Sequence, residues 1–154
     1  ASQMHQAVLE RIAAADLFIG AAAVSDMRPA QPATHKLKKQ SDHLDHLELV
    51  ENPDIVQSVA RHPHRPQLVV GFAAETDDVE RHATVKLAQK SLDCIIANDV
   101  SNGQVFGRDI TTLSIIEPHH TEHLSTTTKD DAAKAILAHL TVLLSQGSSD
   151  GTEI

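Results

Sequence analysis

Apolar residues occur along the chain both in short continuous runs and at helix-like spacing. The runs at 68–70 and 94–96 have the length and character of buried strands. Between them, segment 78–90 carries apolar residues at helical spacing on one side and polar residues elsewhere, which predicts an amphipathic helix. The centre of the chain is therefore predicted to run strand, helix, strand.

Each of these two runs is followed by small residues and turn formers, at 71–76 and at 97–100. Glycine and alanine let a backbone approach another group closely, and open α/β sheets bind ligands where their strands end. We interpret both segments as ligand-binding loops at one edge of a parallel sheet.

The first part of the chain predicts a helix over 4–13 and a strand over 17–24. A doubly wound sheet rarely opens with a helix, and a Gly-rich phosphate loop is not found in the sequence. We therefore expect a fold whose N-terminal part is missing.

The segment after this strand differs in character. Two prolines in 25–34 predict an irregular loop. Segment 35–40 is predicted to be a short basic strand, and segment 47–50 is expected to pair with it as a hairpin or flap. Asn52 is a candidate N-cap for a helix to residue 60, with Pro53 at its first position.

The C-terminal part predicts an edge hairpin from 112–116 and 122–124, then a helix over 132–144. Residues 1–144 form one domain, and 145–154 is expected to be a disordered tail. The fold class is α/β: a three-layer, Rossmann-like parallel sheet with helices on both faces, plus the basic flap and the edge hairpin.

Composition limits the classes of function. The net charge is −8, which argues against non-specific nucleic-acid binding. Three Phe and no Trp or Tyr leave an aliphatic core, as suits a parallel sheet. One cysteine fits a reducing cytoplasm, and neither a signal peptide nor an apolar run of about 18–20 residues is present, so we expect no membrane partner.

Several residues have two interpretations from sequence alone. Lys36 could neutralise a phosphate or belong to a solvated basic edge, and Asp26 could bind a ligand or cap a turn. Phe72 could line a pocket or fill the core. Lys86 and Lys90, four residues apart, could face a ligand or pair with neighbouring carboxylates.

Metal binding is not assigned to any residue. Glu75 and Asp99 are strand-end carboxylates that could hold Mg²⁺ or be structural. The segment His119-His120-x-x-His123 has poor spacing for one ion on a hairpin, because neighbouring residues point to opposite faces. Cys94 lies in an apolar run and is expected to be an inert core residue.

Taken together, the motifs resemble those of phosphopantothenate–cysteine ligase, the synthetase domain of the coenzyme A pathway, and match its C-terminal portion only. The resemblance covers roughly residues 1–144 and rests on five segments: Ala21-Ala22-Ala23-Val24-Ser25-Asp26-Met27-Arg28, Lys36-Leu37-Lys38-Lys39, Asn52-Pro53-Asp54-Ile55-Val56, Gly71-Phe72-Ala73-Ala74-Glu75-Thr76 and Ala97-Asn98-Asp99-Val100.

The resemblance implies a two-step reaction in which 4′-phosphopantothenate attacks CTP to form an acyl-cytidylate, and L-cysteine then displaces CMP. It implies Mg²⁺ on the triphosphate, a cytoplasmic homodimer, and often a fused flavin-dependent decarboxylase, in which case FMN belongs to that domain and the assembly is larger. It implies that Lys36 is catalytic and that nine residues contact CTP: Asp26, Lys36, Pro53, Asp54, Ile55, Val56, Phe72, Lys86 and Lys90. Because the family's Gly-rich segment is absent, we expect this fragment to be inactive alone.

A second hypothesis is a Rossmann-like module that binds a nucleotide or forms a dimer without catalysis. A dinucleotide binder needs the Gly-rich loop that is not found here, which favours the ligase. Selective protection by CTP over ATP and NAD discriminates between the two.

Overall fold

The computed structural model describes residues 1–38, 46–100 and 109–147. Its elements, in chain order, are α1 (Ser2–Leu9), a short 3-10 helix (Ile12–Ala14), β1 (Leu17–Gly20), β2 (Met27–Pro29), β3 (Leu49–Glu51), α2 (Ile55–Ala60), β4 (Leu68–Glu75), α3 (Val79–Lys90), β5 (Cys94–Asp99), β6 (Ile110–Glu117), β7 (His120–Thr128) and α4 (Lys129–Gly147).

Five strands form one mixed sheet in the order β1-β4-β5-β6-β7. The strands β1, β4 and β5 are parallel, while β6 runs antiparallel to β5 and β7 antiparallel to β6. Helices cover both faces, so the predicted α/β class is confirmed. The predicted edge hairpin is also confirmed, and β6 and β7 extend beyond the segments expected for it.

The core lies on both sides of the sheet. Along β4, Val69 and Ala73 pack in the cluster that includes residues of α2 and α3, whereas Leu68 and Val70 pack in the cluster that includes α4. Because successive side chains of a strand point to opposite faces, a strand buried on both faces has to be apolar at every position. This explains the continuous apolar runs in the sequence.

The two segments predicted to be ligand-binding loops are strand instead. The strand β4 continues to Glu75 and β5 to Asp99, with Ala73 opposite Ala97. Both alanines are buried in the cluster that also holds residues of α3, so a small side chain at these positions allows a helix to pack closely on the sheet. The small residues that were interpreted as part of a loop therefore serve close packing of a helix on the sheet.

The flap is a separate two-stranded antiparallel ribbon formed by β2 and β3. The strand β3 overlaps the segment expected at 47–50 only at residues 49–50, and it pairs with Met27–Pro29, inside the segment predicted to be irregular. Pro29 is tolerated because a two-stranded ribbon leaves one edge of each strand unpaired. Residues 35–38 have no regular structure, and the rest of the predicted basic strand lies outside the described residues.

Several element boundaries differ from the predictions: α1 ends at Leu9, short of residue 13, and β1 ends at Gly20, short of residue 24. The N-cap of α2 is Asp54, whose carboxylate accepts a hydrogen bond from Gln57 N at 2.9 Å, and not Asn52. Helix α4 runs on to Gly147, so the first residues of the expected tail are helical, and Gln67 Nε2 donates to Leu144 O at 2.8 Å near that end. Residues 148–154 lie outside the described part of the chain.

Within the described ranges, no helix combines the length and the apolar character needed to cross a membrane.

Candidate functional site

A cavity of about 450 Å³ opens at the carboxyl end of β1, beside Phe72 of β4. Its walls come from three places: the β1–β2 loop, the segment from β3 into α2, and single residues of β4 and α3. The lining residues are Gly20, Ala22, Ala23, Val24, Ser25, Asp26, Met27, Glu51, Asn52, Pro53, Asp54, Ile55, Val56, Phe72 and Lys90. This is the edge of a parallel sheet at which α/β proteins bind ligands.

The end of β1 approaches α2 very closely. A Cβ placed on Gly20 would lie 2.5 Å from Val56 Cγ2, a distance that real side chains do not tolerate. Glycine at this position therefore allows the first turn of α2 to lie over the strand end, and this contact forms the inner wall of the cavity.

Seven of the nine residues implied by the family resemblance line this one cavity: Asp26, Pro53, Asp54, Ile55, Val56, Phe72 and Lys90. They come from four separate segments of the chain, which only the fold brings together. Phe72, on the strand β4, lines the cavity and is 42% exposed, so it is not a buried core residue.

Lys90 is held at the cavity by Asp54. Its Nζ lies 2.9 Å from Asp54 Oδ2, and both side chains are about one third exposed. Burial works to raise the pKa of Asp54, but the hydrogen bonds from Gln57 N and Lys90 outweigh it and hold that pKa below its usual value. Asp54 is therefore a carboxylate at neutral pH that both caps α2 and pairs with a cation.

Lys86 and Lys36 do not line the cavity. Lys86 Nζ lies 2.6 Å from Glu75 Oε1, and the other oxygen of Glu75 is 3.8 Å from His82 Nδ1. This is the carboxylate pairing that the sequence left open as the alternative for Lys86. Lys36 is exposed and lies on a segment without regular structure.

The role of Asn52 differs from the predicted helix cap. This residue lines the cavity, and its side chain bonds to the β1–β2 loop, with Nδ2 donating to Ser25 O at 2.8 Å. A cap and a cross-loop bond both favour asparagine before a helix, so the sequence carries no signal that separates them.

The histidine cluster is divided among different neighbours. His123 Nδ1 lies 3.1 Å from Ser114 Oγ, while His120 stacks on His139 with ring centroids 6.5 Å apart. Within residues 1–38, 46–100 and 109–147, no group of three or more His, Cys, Asp or Glu side chains is arranged to hold a metal ion. Glu75 is engaged by Lys86 and His82, and the side chain of Asp99 is outside what the structure describes.

Cys94 is fully buried within β5, as expected for a core residue. Burial, followed by the negative charges of Glu117 and Asp93, raises the pKa of its thiol to about 12. The thiolate form is therefore negligible at neutral pH, and Cys94 is unsuited to nucleophilic chemistry.

Comparison with known proteins places this geometry in a family. The model of the C-terminal domain of DNA/pantothenate metabolism flavoproteins matches residues 1–143. The chain belongs to this family. The family assignment made from sequence, to the C-terminal portion of the ligase domain, is wrong: the matching model is that of the flavoprotein C-terminal domain and spans nearly the whole chain, and none of the matching names states which activity this domain carries.

Its relatives include the coenzyme A biosynthesis bifunctional protein CoaBC of Vibrio cholerae, 44% identical over 138 residues, and that of Bacillus subtilis, 40% identical over 148 residues. These alignments cover 88% and 95% of this chain, but only 34% and 36% of the relatives. The chain thus spans about a third of the length of the curated relatives it matches.

Solved structures agree with this fold. The C-terminal domain of a CoaBC protein superimposes with a TM-score of 0.74 at 28% identity, covering 95% of this chain and 63% of that one. The DNA/pantothenate metabolism flavoprotein from Streptococcus pneumoniae has a TM-score of 0.71 at 22% identity, covers 93% of this chain and 70% of that one, and supports the fold alone.

Proposed function

We propose that this chain supplies the nucleotide site of a coenzyme A biosynthesis enzyme that ligates 4′-phosphopantothenate with L-cysteine at the expense of CTP, through an acyl-cytidylate. One observation carries the proposal: seven residues that were candidate nucleotide contacts from sequence, on four separate segments, line a single cavity. The bifunctional relatives named for coenzyme A biosynthesis support the same pathway.

The polar lining suits the base end of CTP. Cytosine presents an amino donor beside ring acceptors, and carboxylates accept from that amino group. The cavity offers the carboxylates of Asp26 and Glu51 and the ammonium group of Lys90, which can donate to a ring acceptor. Uracil places an acceptor where cytosine has its amino group, so the same lining disfavours UTP.

The triphosphate needs positive charge that the cavity does not supply alone. Among its lining residues Lys90 is the one cation, and it is paired with Asp54. We propose that Lys36 contacts the phosphates, and that Lys86 leaves Glu75 and contacts the nucleotide instead. Both ammonium groups would act as point charges. Mg²⁺ is typically held by substrate phosphates with one or two carboxylates, and when bound it neutralises phosphate charge.

In the proposed reaction these residues would position the substrates and stabilise charge. Lys90 and Asp54 would orient the base, Phe72 would exclude water from one side of it, and Lys36 would stabilise charge that builds on the phosphates in the transition state. A mixed anhydride formed in such a site survives long enough to meet an amine only if water is kept out.

Nucleotide selectivity tests the binding step. With Mg²⁺ and each nucleotide at about 100 times the dissociation constant expected for CTP, the melting temperature should rise by roughly 5–10 °C for CTP and far less for UTP, ATP or NAD. Lys90→Ala should abolish the shift. Lys134→Ala, which removes an exposed lysine of α4 paired with Asp130, is the matched control and should retain it. Equal shifts with all four ligands would contradict the proposal.

The alternative function is a nucleotide-binding or dimerisation module without catalysis. It is favoured by the position of Lys36 and Lys86 away from the cavity. A full-length protein that contains this chain, incubated with CTP, Mg²⁺, 4′-phosphopantothenate and cysteine, separates the two, because ligation releases pyrophosphate. Selective CTP protection without pyrophosphate release would favour the module.

We further propose that the chain forms a homodimer through the ribbon. Leu47 and Leu49 are 62% and 47% exposed, and Met27 on the paired strand is 40% exposed. A two-stranded ribbon is marginally stable in water unless a surface covers its apolar side chains. Leu47→Lys with Leu49→Lys should yield a monomer in light scattering, whereas a mass of one chain for the unchanged protein would refute the dimer.

A further inference from the structure

Asn52 joins the two walls of the cavity by hydrogen bonds in three directions. Its backbone N donates to Asp26 O at 2.8 Å, and its Nδ2 donates to Ser25 O at 2.8 Å. Its Oδ1 accepts from Arg28 Nη1 at 3.1 Å, and the same nitrogen of Arg28 donates to Glu51 O at 2.6 Å. One half-buried amide thus ties the loop after β1 to the segment that leads into α2.

The chemistry of these partners requires an amide at position 52. One neighbour, the carbonyl of Ser25, needs a donor, and the other, the guanidinium of Arg28, needs an acceptor. Rotating the amide by half a turn would place NH₂ against the guanidinium and oxygen against the carbonyl. A carboxylate satisfies Arg28 and repels Ser25 O, and alanine satisfies neither.

Apart from its bonds to Asn52, the loop after β1 is held by Val24, which packs against the core cluster, and by two bonds within the loop region, Val24 N to Ala22 O at 3.0 Å and Ser25 Oγ to Met27 O at 2.8 Å. Residues 21–25 have no helix or strand, and most of them are exposed, yet Ala22, Ala23, Ser25 and Asp26 all line the cavity. An exposed loop without regular structure is expected to move unless side chains bond it to a rigid element. Within this wall, Ser25 and Asp26 are the residues whose carbonyls Asn52 holds directly, so their positions depend on the bonds to Asn52.

We propose that Asn52, oriented by Arg28, is a positioning residue that fixes the β1–β2 loop against the start of α2 and so presets the nucleotide cavity. The movement of the β1–β2 loop that is expected when Asn52 is replaced is a property of the ligand-free protein. The consequence for nucleotide affinity rests on the proposed function.

Hydrogen–deuterium exchange of the ligand-free chain tests the positioning. Asn52→Asp and Asn52→Ala should each speed exchange across 21–29 by about tenfold, because each loses the bond to Ser25 O. Gln57→Ala is the matched control: it removes an amide of the next helix, whose Nε2 donates to Gln89 O at 3.4 Å, and should leave that exchange unchanged. Unchanged exchange in Asn52→Asp and Asn52→Ala would overturn the proposal.

The coupling to Arg28 gives a second test. Arg28→Ala should speed exchange across the same segment, and adding it to Asn52→Ala should produce little further change, because both act through one network. If the two effects multiply, Arg28 and Asn52 act separately and the orienting role of Arg28 is wrong.

The nucleotide arm distinguishes this inference from the proposed function. In the ligation assay of a full-length protein that contains this chain, Asn52→Asp should raise the KM for CTP about tenfold and leave kcat within about threefold, since it changes cavity shape and not the reacting groups. A loss confined to kcat would refute the presetting of the cavity. If the unchanged protein does not bind CTP but the Asn52 variants still show faster exchange in the loop, the proposed function is refuted and the positioning role of Asn52 is retained.

Discussion

Asp54 provides the sharpest stability prediction because two of its roles can be separated by substitution. Its carboxylate accepts from Gln57 N as the N-cap of α2 and pairs with Lys90 Nζ at 2.9 Å. Asp54→Asn retains a good cap and loses the charge, whereas Asp54→Ala loses both. The pair of variants therefore divides the total effect into a capping part and an ionic part.

The magnitudes follow from the contacts. Loss of an N-cap costs about 1 kcal/mol, and an ion pair with both partners about one third exposed contributes roughly 0.5 kcal/mol after solvent screening. Asp54→Ala should thus destabilise the chain by about 1.5 kcal/mol and Asp54→Asn by about 0.5 kcal/mol. For a chain of this length these values correspond to roughly 3–6 °C and 1–2 °C in melting temperature.

Urea denaturation at pH 6 measures both values, and repeating it at pH 3 tests the ionic state. The folded state holds the pKa of Asp54 below its usual value of 3.8, so the stabilisation is present above pH 3.8 and is lost as the pH falls through the lower, folded pKa. The difference between the unchanged protein and Asp54→Ala should shrink at pH 3. If Asp54→Asn were as destabilising as Asp54→Ala at pH 6, the capping argument would be refuted.

Three further outcomes are expected. In a full-length protein, Lys36→Gln should lower the turnover of ligation by about 10²–10³ while leaving the melting temperature within about 1 °C, because this side chain is exposed and is proposed to act only on phosphate charge; unchanged turnover would remove it from the site. Cys94, with the pKa of its thiol raised to about 12, should not react with a thiol reagent at pH 8 until urea unfolds the chain; rapid labelling of the folded protein would contradict its burial. Asp93→Ala should cost about 2 kcal/mol in urea denaturation, since its Oδ2 accepts from Val69 N at 2.7 Å and pairs with Arg65, and the part-buried amide would lose its acceptor; an effect below about 0.5 kcal/mol would show that water replaces the carboxylate.

The positions of the strands and helices were largely predictable because hydrophobic periodicity is local. The apolar runs at 68–70 and 94–96 became the buried cores of β4 and β5, and the amphipathic segment between them became α3. Packing on both faces of a sheet requires apolar residues at every position of a central strand, and that requirement is visible without coordinates.

The functions of small and polar residues were not predictable from local sequence. Ala73 and Ala97 had the signature of a loop, but they are strand residues beneath a closely packed helix. Asn52 had the signature of a cap, but it bonds across the cavity to Ser25. In each case one residue type serves two structural purposes, and only the neighbours brought by the fold distinguish them.

What the sequence determined by itself was the kind of element at the apolar runs and amphipathic segments, the α/β class and a set of candidate nucleotide contacts. What only the tertiary structure decided was which of those candidates meet. Phe72, Lys90 and Asp26 line one cavity. Lys86 instead pairs with Glu75, and the exposed Lys36 does not line the cavity. The physical reason is that hydrophobic periodicity reports only the burial of residues along one element. A binding site depends instead on distances between elements, and these are set by strand order and by close approaches such as that of Gly20 to Val56.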